Sequence, residues 1–117
     1  MALEDQMEMR AMMSRWETTK ARWALSPAEE AALLGGTGFG GPVGEAASWN
    51  AIALERRMRM LVELGHGLEL LMRSEMDVRR WLRRPMPGIG HCRPIDVMES
   101  SVEWIRMLRD AVQDFIP

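Results

Sequence analysis

Four arginines stand within the six residues Arg79-Arg80-Trp81-Leu82-Arg83-Arg84. On a helix they pair off, Arg79 with Arg83 and Arg80 with Arg84, each at i, i+4. A guanidinium is a planar fork of donors that stays charged, suited to carboxylates and phosphates. Trp81 and Leu82 are expected to point inward. Two readings of the run stand side by side. It is a solvated arginine face over a buried tryptophan, or a docking surface for a protein or for phosphate.

Other chemistry is thinner. Gly36-Thr37-Gly38-Phe39-Gly40-Gly41 spells G-x-G-x-x-G, but that fingerprint cradles a pyrophosphate only between a strand and a helix. No strand pattern precedes it, so a helix–helix loop is expected. His66, His91 and Cys92 are the soft metal ligands. They are too few and too scattered for a four-ligand zinc site, and no metal is expected. No Ser/His/Asp or Cys/His arrangement can be assigned, so neither an enzyme nor a cofactor is expected.

The elements that carry these residues are helical by spacing. Met9, Met12, Met13 and Trp16 share one face at i, i+3, i+4 and i+7. Ser26-Pro27-Ala28-Glu29 starts a second helix, with Ser26 as cap, Pro27 at the first position and Glu29 completing a capping box. Gly35-Gly36 ends it. A long helix is expected from Ser48 to Met72, through Met58, Leu61, Leu64, Leu68 and Leu71. Gly65 and Gly67 weaken it by about 1 kcal/mol each unless another helix packs closely there. Ser74 starts a short helix through Leu82, which Pro85 and Pro87 stop. Pro94 opens another turn of helix to Met98. Ser100 with Glu103 is expected to cap the last helix, with an apolar stripe of Ile105, Leu108, Val112 and Phe115. No segment alternates as a strand does. The fold class is therefore all-α, with five to six helices, divided at 1–53 and 54–117.

Composition narrows the function. The 117 residues carry 15 basic and 17 acidic side chains, a net charge of −2. That is not the balance of a dedicated nucleic-acid binder. Lys20 is the sole lysine. No apolar run approaches the roughly 20 residues that cross a bilayer, so no membrane partner is expected. Acidic residues follow Met1 where a signal peptide carries bases, and a single cysteine suits a reducing compartment, so a cytoplasmic location is expected. Twelve methionines and five tryptophans fill adaptable cores and also interface hot spots. This surplus suggests a face completed by another chain. Met9, Met12, Met13, Trp16 and Trp23 are the candidates for self-association, in a symmetric assembly with two copies.

Four stretches, spanning nearly the full length, resemble the MbcA/ParS/Xre antitoxin family, the last being the closing helix from Ile105 to Phe115. Residues Trp23-Ala24-Leu25-Ser26-Pro27-Ala28-Glu29 through Gly35 resemble the opening of its degenerate Xre-type helix-turn-helix. Leu54-Glu55-Arg56-Arg57-Met58 resembles the start of its central helix. Trp81-Leu82-Arg83-Arg84-Pro85, then Gly90, then Arg93-Pro94-Ile95-Asp96-Val97-Met98 resembles the signature of its toxin-binding domain.

The resemblance implies an antitoxin that neutralises a RES-domain toxin, one that consumes NAD or transfers ADP-ribose, by covering its NAD site. It implies a helical N-terminal part packed on a C-terminal toxin-binding domain. Arg109, Asp110, Asp114 and Phe115 are then candidates to fill the toxin's pocket. Arg93, Asp96 and Trp104 would shape the surrounding contact. Arg106 stands beside Arg109 at i, i+3, and Arg79, Arg80, Arg83 and Arg84 complete the toxin-binding set. The last helix equally reads as closing the protein's own core. Family members also bind promoter DNA, and a transcriptional regulator without a toxin-binding role is the alternative. Residues 36–50 contain no Arg or Lys, so DNA binding is expected to be weak.

Overall fold

The computed structural model describes residues 2–35 and 45–116, with side chains over 7–35 and 52–116. Among these residues the fold is all-α, with six helices: α1 (Ala2–Trp23), α2 (Pro27–Leu33), α3 (Glu45–Leu71), α4 (Glu75–Arg83), α5 (Pro94–Ser100) and α6 (Val102–Asp114). A 3-10 turn, Pro87–Ile89, joins α4 to α5. The G-x-G-x-x-G stretch at 36–41 lies outside the described residues.

Helix α3 is the axis of the molecule. It packs against α1 and α6, while α5 ties α2, α4 and α6 together. Met58, Leu61, Leu64 and Leu68 of α3 are buried. Its two internal glycines are sites of close approach. A Cβ on Gly65 would meet Thr19 Cγ2 at 3.1 Å and the Trp23 ring at 3.4 Å. A Cβ on Gly67 would meet Val112 Cγ1 of α6 at 2.8 Å. The helix propensity lost at these positions is offset by the packing that the missing side chains permit.

The buried stripe of α1 differs from the expected one. Met12, Trp16, Thr19 and Trp23 are buried, at steps of four, three and four, while Met9 and Met13 face outward. The stripe turns because α3 offers its narrowest point, Gly65, to Thr19 and Trp23. Trp16 and Trp23 meet edge to face, 6.5 Å between centroids, and Trp16 Nε1 donates to Glu30 Oε2 at 3.0 Å. Helix α1 ends without glycine. Ala24 adopts φ 54°, and the Leu25 and Ala24 amides donate back to Lys20 O and Ala21 O. This is the paired closure of a Schellman turn, with alanine at the position glycine usually takes.

Local caps follow the sequence closely. Ser26 Oγ accepts from Glu29 N at 3.1 Å, and Glu29 Oε1 accepts from Ser26 N at 2.9 Å. Ser74 Oγ accepts from Asp77 N, and Val78 and Leu82 hold α4 to the core. The last cap is shifted by one residue. Ser101, not Ser100, begins α6, accepting from Glu103 N. Ser100 closes α5 instead, donating to Val97 O at 2.6 Å. Ile105 and Val112 are buried and Leu108 partly so. Phe115, the cap of α6, leaves the expected stripe: it is 78% exposed, and Ile116 instead comes back over α3, its Cδ1 3.5 Å from where a Cβ on Gly67 would stand.

Candidate functional site

The two arginine pairs of α4 face different surroundings. Arg79 Nε donates to Arg22 O at 2.8 Å. Arg83 donates to Ala24 O and to Glu29 Oε1, both at 3.2 Å. Arg79 thus satisfies the Arg22 carbonyl in the last turn of α1 and Arg83 the Ala24 carbonyl just beyond it, where the helix dipole favours a cation. Arg80 and Arg84 are exposed on the neighbouring side. Arg80 is 73% exposed along its side chain and, among the described residues, meets only Asp77, at 3.9 Å. Both border a groove of about 780 Å³ between the end of α3, the outer side of α4 and the 3-10 turn. Leu71, Trp81 and Met86 give it an apolar lining, and Arg73 stands on its rim. Trp81 is half-buried rather than wholly inward, one face against the core and the other on this groove.

Arginines on α5 and α6 are also largely paired. Arg93 makes a bidentate bond to Asp96, at 2.7 and 2.8 Å, which holds the Asp96 carboxyl below its ordinary range. Arg106 pairs with Glu103. Arg109 bonds Glu63 of α3 and Asp110, each at 3.0 Å, so it fastens α6 to α3. Trp104 is half-buried, and Asp110, Asp114 and Phe115 are exposed.

One acidic cluster lies where α2 meets α5. Burial would raise the Glu29 pKa, but bonds from the Ser26 backbone and Arg83 outweigh it, so the carboxyl sits below the ordinary range. Glu99 is pushed the other way by burial, then by Asp96 and Glu29.

Of the candidate self-association residues, Met12, Trp16 and Trp23 lie within the protein's own core, leaving Met9 and Met13 accessible. The toxin-binding candidates do not form one patch of free side chains. Arg79, Arg83, Arg93, Arg106 and Arg109 have partners within the chain, whereas Arg80, Arg84, Asp114 and Phe115 are presented outward. Sequence reasoning missed Arg73, Leu71 and Met86 as lining. Arg73 sits between the end of α3 and the cap Ser74, a junction where a side chain is commonly left outside both helices. Among the described residues no three His, Cys, Asp or Glu side chains converge to hold a metal ion, and no helix is long and apolar enough to cross a membrane. No family model, curated protein or solved structure matches this chain.

Proposed function

We propose that this chain is a non-catalytic binding protein of the antitoxin class, one that docks on a RES-domain toxin and covers its NAD site. The observation that carries the reading is the end of α6. Ile105 and Val112 anchor that helix to the core, while its final residue Asp114 and the cap Phe115 face outward. An exposed aromatic beside a carboxylate, on an anchored helix, is a compact element to place in another protein's cleft. Cutting the chain at residue 110 would be a poor test, because Val112 fills the space over Gly67. The double substitution Asp114→Ala with Phe115→Ala leaves that packing in place. It is expected to keep the helical circular dichroism and to weaken inhibition of NAD consumption by the cognate toxin at least about tenfold. A folded double variant that inhibits at full strength defeats the reading. So would sequence-specific promoter binding by a chain with no effect on the toxin, which fits a transcriptional regulator.

A two-copy assembly is part of the same proposal. Met7, Met9 and Met13 are exposed along α1, the kind of adaptable apolar surface that a second copy covers. Met9→Glu with Met13→Glu is expected to shift the light-scattering mass from dimer to monomer. A wild-type chain that is monomeric at all concentrations, alone and with toxin, overturns it.

A further inference from the structure

The groove beside α4 carries three arginines, Arg73, Arg80 and Arg84, against one carboxylate, Asp77. This local excess of positive charge stands on a chain whose net charge is −2. Most arginines elsewhere in the described chain have a carboxylate or carbonyl partner. Arg73 and Arg84 have no ion-pair partner within 4 Å among the described residues, and Arg80 has only the long contact to Asp77. Beneath these charges Trp81, Met86 and Leu71 form an apolar surface.

The chemistry selects the occupant. A phosphate site ordinarily recruits backbone amides at a helix start along with its cations. Here the first turn of α4 is already served by the Ser74 hydroxyl and carries Glu75 and Asp77, so it repels an anion rather than receiving one. An apolar floor also contributes nothing to a phosphate. It suits an aliphatic or aromatic side chain flanked by carboxylates, with which guanidinium groups form directional paired bonds.

We propose that this groove binds an acidic peptide segment of a partner protein, seating one apolar side chain on Trp81 and Met86 and its carboxylates on Arg73, Arg80 and Arg84. This deepens the reading of the chain as a binding protein, without depending on the partner being a toxin.

The test is peptide display against the full chain, followed by titration of the enriched peptide, synthesised with a fluorescent label. The enriched sequences are expected to hold several Asp or Glu around one apolar residue. Arg80→Glu with Arg84→Glu, and separately Arg73→Glu, should each weaken the labelled peptide at least about tenfold while leaving the circular dichroism unchanged. Asp77→Asn should tighten it about two- to threefold, and added salt should weaken it. The proposal is overturned if no sequence is enriched, if the enriched sequences lack acids, or if folded charge-reversal variants bind as before. It is equally overturned if inorganic phosphate or a DNA duplex displaces the peptide at lower concentration than the unlabelled peptide does. No toxin is present in this assay. Its failure would leave inhibition through Phe115 standing, and failure of that inhibition would leave the groove standing.

Discussion

Arg79 and Arg83 lie one residue away in sequence from Arg80 and Arg84, yet the pairs serve different ends. The first pair reaches across to the end of α1 and holds a carbonyl of its last turn and the one just beyond it. The second faces a groove and holds almost nothing. One residue on a helix is a turn of about 100°, so a single step of sequence separates an internal fastening from an available surface. A guanidinium already bonded to carbonyls offers little to a partner. An exposed one retains its donors and loses side-chain freedom only when a ligand arrives.

The sharpest way to break this contrast is to delete each pair in turn. Arg79→Ala with Arg83→Ala is expected to destabilise the fold by about 2 kcal/mol, because charge-assisted bonds to the end of α1 are lost. Both side chains are partly solvated, which limits the loss. Arg80→Ala with Arg84→Ala should change stability by less than about 0.5 kcal/mol. Urea unfolding of both variants measures the difference, and equal losses would erase the distinction between the pairs. A smaller effect sharpens the point from the other side. Ala24 is held at φ 54°, and its own carbonyl accepts from Arg83. Ala24→Gly relieves that left-handed strain and should stabilise the chain by about 0.5 kcal/mol, after the added freedom of the unfolded glycine is subtracted. A destabilised glycine variant would mean that the turn is not strained.

Why sequence reading reaches some of these features and not others is visible in single residues. The caps at Ser26 and Ser74 depend on atoms three residues away, and their patterns predict them directly. Ser100 and Ser101 are both able to cap, and the choice falls to Ser101 because α5 extends far enough to absorb Ser100. The all-helical class follows from apolar spacing alone. The face that α1 buries does not, since it depends on the position of Gly65 on α3, more than forty residues on. Likewise i, i+4 spacing identifies two arginine pairs but cannot say which meets α1. That depends on where α1 ends and at what angle α4 crosses it. Phe115 continues the stripe in spacing, but the place over Gly67 beyond Val112 is taken by Ile116, which the spacing does not single out.

The closure of α1 by Arg79 and Arg83 has a consequence for how the molecule comes apart. The donors and acceptors of these bonds are 57 and 59 residues distant in the chain. Fraying of the last turn of α1 and detachment of α4 therefore break the same bonds and belong to one opening event. Local fluctuation is converted into a wider cooperative unit. Forming the unit demands long-range closure before the reward is complete, which slows its assembly relative to a bundle of neighbouring hairpins. The clasp that makes the two helices open together also makes them late to meet.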